Sequence, residues 1–200
     1  MMYYDRNVIK SIDPSIVLNP LFDEWLIIVE DILLHDEFQK RKLFSHHHNL
    51  SVWDHSILVS FKAFLVAKYF GADSRTCAIA GLLHDFYPYA WLYNDELAKI
   101  DDGEYVKFVN VKKPLFKMHG FVHGKEAAEN AKKYFPYLMT DRILNSIERH
   151  MFPLTKIPKY KEGIIITTID KLNSVREMPS LKVVGTKISN KISSKLFKKI

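Results

Sequence analysis

Asp170 constrains this chain more than any other single residue. It lies in Ile164-Ile-Ile-Thr-Thr-Ile-Asp-Lys-Leu172, a helix-forming segment rich in aliphatic side chains. A carboxylate inside such a helix costs several kcal/mol if it is left unpaired. Any fold that accepts this sequence must therefore bring Asp170 a partner. Three kinds satisfy the chemistry: a lysine or arginine from a neighbouring helix, a network of donors, or a metal ion. Taken alone, the residue does not choose between them.

The rest of the chain reads as helical and predicts an all-α compact bundle. Residues 21–37 space apolar side chains at three and four positions, with acids between them. Ser51 is expected to cap a helix over 52–69 that stops before Gly71, and Ser74 a second helix through about Asp85, stopped by Pro88. Helical spacing returns at 124–135, at 141–150 behind Thr140, and at 162–176. Residues 87–118 break the pattern with aromatic clusters and a short alternating stretch, which predicts an irregular insertion. A basic C-terminal helix is expected over 181–200, where Val184, Ile188, Ile192 and Leu196 recur every four residues. No internal repeat or domain boundary is visible, so residues 1–200 are read as one domain.

Composition excludes several classes. The single cysteine, Cys77, excludes a disulfide scaffold and any Cys-rich zinc module. The apolar runs, Trp25–Val29 among them, are far shorter than the roughly 20 residues that cross a bilayer. No apolar stretch follows a basic start in MMYYDRNVIK, so no secretory signal is expected and the location is read as cytoplasmic. The net charge of +6 comes from the last 20 residues, which hold six lysines and no acid; the other 180 carry 23 cations and 23 anions. The basic pI thus describes the tail, and nucleic acid is not an expected partner.

Four of the nine histidines sit where helices would be buried or end. His55 falls between Val52 and Leu58, on an apolar face. His84, with Asp85 beside it, closes the helix of Cys77, Ala80 and Gly81. His123 precedes Ala127 and Ala131, and His150 follows Ile143 and Ile147. A lone buried histidine is more often a hydrogen-bonded core residue than a ligand; the case rests on the set. Neutral imidazoles with carboxylates make a nitrogen and oxygen ligand sphere without sulfur, which suits Mn²⁺, Fe²⁺, Ni²⁺ or Zn²⁺ better than Ca²⁺. The small residues before His84 would let the His55 helix approach closely enough to share an ion.

In their order, Val52-Trp-Asp-His55-Ser, Ala80-Gly-Leu-Leu-His84-Asp85, His123 before Ala127-Ala128, Ile147-Glu-Arg-His150 and Ile169-Asp170-Lys171 make a pattern that resembles the HD superfamily of metal-dependent phosphohydrolases. The resemblance covers about residues 50–175. It implies a metal site of His55, His84, Asp85 and Asp170, extended by His123 and His150 in members that hold two ions. It also implies one or two divalent cations (Mn, Fe, Ni, Zn or Mg), and hydrolysis of a small phosphate ester such as a nucleotide by metal-activated water, with Asp85 anchoring or bridging the ions. A non-catalytic module that binds a nucleotide or a metal for regulation is the alternative. The chain departs from the pattern in Phe86-Tyr-Pro88, where many members carry an Ile-Gly-Lys-like stretch. A cation for the phosphate must then come from elsewhere. Among Lys112, Lys113, Lys117, Lys125, Arg149 and Lys171, the three that flank His123 and His150 are favoured: Lys117, Lys125 and Arg149. His119, four residues before His123, is read as a proton donor to the leaving group or as a partner that orients a ligand.

Three further features have everyday readings. The run His46-His47-His48 is expected to be an exposed loop, with one ring lining the cleft near His55 as the alternative. The aromatic group Phe86, Tyr87, Tyr89, Trp91 and Tyr93 is expected to pack as core, though flat rings can also stack on a base. The lysine tail is expected to pack its apolar face on the bundle.

Overall fold

The structure, a computed structural model, describes residues 5–46, 50–90 and 118–177. Among them every regular element is helical, and Ser45 pairs with Ser51 in an isolated β bridge. In chain order the α-helices are α1 Arg6–Ile12, α2 Pro14–Val17, α3 Phe22–Leu34, α4 Asp36–Gln39, α5 Val52–Phe70, α6 Ser74–Leu83, α7 His119–Tyr134, α8 Asp141–Arg149 and α9 Lys161–Glu177. A 3₁₀ turn, Lys40–Leu43, joins α4 to the approach of α5.

Local chemistry sets the boundaries. Ser51 caps α5 in a capping box, its hydroxyl accepting from the Asp54 N–H while Asp54 accepts from the Ser51 N–H. Gly71 ends α5 with φ of +60°, a conformation that strains any residue with a Cβ. Three expected boundaries are corrected. The segment 21–37 is two helices, because His35 is extended and its Nδ1 accepts from the Glu37 N–H at 3.1 Å, restarting the chain as α4. The cap of α6 is Asp73, not Ser74: its carboxylate accepts from the Thr76 N–H at 3.0 Å and from the Thr76 hydroxyl at 2.7 Å. Helix α7 begins at His119 rather than 124, so His123 lies inside it; Gly120 and Gly124 lower the helical preference of its first turns, and packing overrides them. The bulk of the 87–118 insertion and the whole 181–200 segment lie outside the described residues.

One apolar core runs through these helices, from Ile9 and Trp25 to Phe64, Leu82, Ala127, Ile147 and Ile166. The pair α5 and α6 forms its centre. A Cβ on Gly81 would stand 2.9 Å from the Ser60 Cα, so only glycine allows this approach. The Ser60 hydroxyl donates to the Ala78 carbonyl at 2.7 Å and accepts from the Trp25 indole at 2.9 Å, tying α3 to both. Buried Glu162 ties α9 to the rest: it accepts from the Asp73 N–H at 3.0 Å and faces Arg142 Nη1 at 3.3 Å through both oxygens. Arg41 is wholly buried, its guanidinium 4.6 Å from the Phe44 and Phe86 ring centres and paired with Glu37 at 3.1 Å. Burial lowers its pKa against the pull of Glu37.

Cys77 is fully buried in α6. Burial, reinforced by Glu162 and Asp73, pushes its thiol from 9.0 up to about 12. The unfolded thiol ionises first, so the unfolded state holds fewer protons between those pH values and stability falls as pH rises through that window. At pH 10 the loss due to this group is expected to be ~1 kcal/mol. Urea unfolding at pH 8 and pH 10 should show that loss in the native sequence and not in Cys77→Ala, and native Cys77 should resist alkylation at pH 8.

Candidate metal centre

The six residues predicted as ligands meet in one buried place. His55, His84, Asp85, His123, His150 and Asp170 are each at most 7% exposed. They arrive from five elements: His55 from the first turn of α5, His84 and Asp85 from the end of α6, His123 from α7, His150 from the end of α8 and Asp170 from α9. Gly124 lets α7 come within reach of α8, since a Cβ there would stand 2.7 Å from the Glu148 carbonyl oxygen.

Backbone carbonyls fix the imidazoles. His84 Nδ1 lies 2.8 Å from the Gly81 oxygen, His123 Nδ1 2.8 Å from the His119 oxygen and His150 Nδ1 2.8 Å from the Ile147 oxygen. A carbonyl only accepts, so each Nδ1 carries the hydrogen and each neutral Nε2 is left with a lone pair. For His84 and His150 the same bond satisfies a carbonyl that the helix end would leave without a partner.

All three Nε2 atoms point at Asp85. His84 Nε2 is 3.4 Å from Oδ2, while His123 and His150 stand 3.3 Å and 3.6 Å from Oδ1. His123 and His150 face each other Nε2 to Nε2 at 2.9 Å. Two lone pairs do not attract at that distance; a shared proton, or a cation held to one side by both nitrogens, would relieve the contact. On the other side, Asp170 Oδ1 is 3.0 Å from His55 Nε2 and 3.7 Å from His84 Nε2. His84 Nε2 is buried without a hydrogen-bond partner.

The electrostatics follow from that packing. Burial raises the cost of charge on Asp85, but attraction to His84 and the bond from His123 outweigh it and hold the carboxyl well below its ordinary range. Asp170 is likewise lowered: the neighbouring His55 and His84 overcome burial. Burial opposes charge on His123, yet Asp85 reverses this and raises its pKa. His150 is driven the other way, to about 4, by burial and by repulsion from His123 and His84. The centre thus keeps two anions in a dry space, a charge that a divalent cation could balance. The residues fit such an ion: His55, His84 and Asp170 form one group of donors within 4.8 Å of one another, and His84, Asp85 and His150 a second.

The other candidates fall differently. The His119 ring stacks on His123 at 4.4 Å, and its Nδ1 is 3.5 Å from the Tyr89 hydroxyl, which also bonds Glu126. Lys125 is exposed beside Glu129, and Arg149 Nη1 donates to the Ile157 carbonyl at 3.0 Å; neither pairs with the centre. Lys171 is taken by the Phe152 carbonyl. Lys117 lies outside the described residues, as do Lys112, Lys113, Trp91 and Tyr93. Phe86, Tyr87 and Tyr89 are buried as core rings. Tyr87 lies edge-on to His119 at 4.8 Å and to His123 at 5.9 Å, and burial with Asp85 nearby raises its hydroxyl pKa well above 10. The expectation of an exposed loop fails for His46, which is partly buried with its ring 4.0 Å from that of His55; His47 and His48 are outside the described residues. No pattern in the sequence separates His46 from its two neighbours.

The described residues form an all-α frame that gathers imidazoles and carboxylates from five elements into a site that could hold a divalent cation. The HD domain family profile matches residues 52–174, and the chain belongs to that family, whose members are in general metal-dependent hydrolases. No curated protein and no solved structure matches the chain. No helix among the described residues is long and apolar enough to cross a membrane.

Proposed function

We propose that the protein is a divalent-metal-dependent phosphohydrolase acting on a small phosphate ester, with nucleotides the first class to test. One observation carries this reading: the Nε2 lone pairs of His84, His123 and His150 converge on one ionised carboxylate, Asp85, with their Nδ1 hydrogens committed to carbonyls.

In this reading His55, His84, Asp85 and Asp170 hold one ion, and Asp85, His123 and His150 extend the centre to a second. A bound divalent cation acidifies water and screens the charge of the phosphate. Asp85 faces different imidazoles with its two oxygens, which suits it to anchor or bridge. The 3.0 Å contact between His55 and Asp170 orients both groups. Tyr87 shields the side of the centre near His119 and His123 from solvent. As water adds to phosphorus and the ester P–O bond breaks, the departing oxygen needs a proton. His119, at the rim beside His123, is assigned to supply it, while its carbonyl keeps His123 oriented. Lys125 and Arg149 are not used as phosphate clamps, because one is solvated and the other is held by a loop carbonyl.

The test loads stripped protein with Mn²⁺, Fe²⁺, Ni²⁺ and Zn²⁺ in turn, measures stoichiometry, and screens phosphate monoesters and nucleotides. Metal at one or two equivalents with metal-dependent phosphate release is expected. Saturable metal and nucleotide binding with no turnover on any substrate would replace the enzyme with a regulatory module.

A further inference from the structure

His46 stands outside the motif that the family resemblance supplies, yet the fold delivers it to the same centre. The chain is pinched just before α5. The Val52 N–H donates to the Phe44 carbonyl at 2.8 Å, the His46 N–H donates to the Leu50 carbonyl at 2.9 Å, and Ser45 bridges Ser51. Ser51 is also the cap of α5, so the backbone at His46 is fastened to the helix that carries His55 one turn further on. The two rings lie 4.0 Å apart, tilted by 35°. A ligand atom from each of His46, His55 and Asp85 falls within 4.8 Å of the other two. This third donor group shares His55 with one of the other two and Asp85 with the other.

We propose that His46 is a further nitrogen ligand of this centre, binding together with His55 and Asp85. The proposal rests on the reading of the centre as a metal site. Its consequence is selectivity. With His46, the ion beside His55 and His84 meets three imidazoles and the carboxylates of Asp85 and Asp170. Imidazole suits Fe²⁺, Co²⁺, Ni²⁺ and Zn²⁺, whereas carboxylate and water suit Mg²⁺. His46 therefore turns the centre toward transition metals and away from magnesium.

The experiment uses the full chain, stripped with a chelator and reloaded with Co²⁺ alone, and compares it with His46→Gln. Chelator competition gives the affinity, and the visible Co²⁺ spectrum reports the ligand set. His46→Gln is expected to bind Co²⁺ ~10- to 100-fold more weakly, with a shifted spectrum and an unchanged Mg²⁺ affinity. Identical Co²⁺ affinity and spectrum in the two proteins would overturn the role of His46 and leave the metal centre standing. No Co²⁺ binding by the native sequence would overturn both. Should His46→Gln lose its cooperative thermal transition, anomalous diffraction at the cobalt edge from crystals of the native sequence saturated with Co²⁺ decides: cobalt within bonding distance of a His46 nitrogen supports the proposal, and cobalt bound at His55 without that nitrogen overturns it.

Discussion

Asp85→Asn is expected to lose more than about 100-fold in metal affinity and to release phosphate no faster than the metal-free protein. The amide keeps the size of the side chain but removes the anion on which three Nε2 atoms converge. It also substitutes an NH₂ group for one acceptor oxygen. A neutral Nε2 can accept from that group, so the cluster satisfies itself with hydrogen bonds and no longer needs a cation. For that reason the variant should fold: the amide replaces the carboxylate without leaving a buried polar group unpaired. Metal content by elemental analysis, phosphate release and a thermal melt on the same sample separate the outcomes. Asp85→Asn with undiminished metal content would sink the assignment of Asp85 as the shared ligand.

The second large effect is on stability. Without a cation the centre encloses two carboxylates and opposed imidazole lone pairs within a few ångströms. A divalent ion that binds only the folded chain at 100 times its dissociation constant adds ~2.7 kcal/mol. For a chain of this length that corresponds to a rise in Tm of roughly 5–11 °C. Such an ion would link five elements distant in sequence, from α5 to α9, so the whole cooperative unit should feel it. Asp170→Asn should lose most of this rise, because the amide removes the anion facing both His55 and His84. Calorimetry with and without Mn²⁺ or Zn²⁺ is the measurement. A melt indifferent to every divalent ion would contradict the proposed centre.

The close approach of α5 and α6 shows where reading the chain succeeds. Gly81 before His84 predicted it, and the 2.9 Å space left for a Cβ accounts for it. The start of α7 shows where it fails. The expected helix begins at 124 and the observed one at His119, and Gly124 is required by the Glu148 carbonyl on another helix, a contact without local signature. Arg41 makes the same point: nothing in the charged stretch Gln39–Lys42 marks it as buried, and only the fold sets it between Phe44 and Phe86.

From sequence alone came the helical class, the caps at Ser51 and Thr140, and the ordered histidines and aspartates, because periodicity, capping and the cost of an isolated buried charge all act within a few residues. Tertiary structure decided which nitrogen of His84, His123 and His150 carries its hydrogen, that Lys125 and Arg149 turn elsewhere, and that His46 reaches His55. Those outcomes depend on distances between atoms far apart along the chain, which packing sets and local preference does not encode.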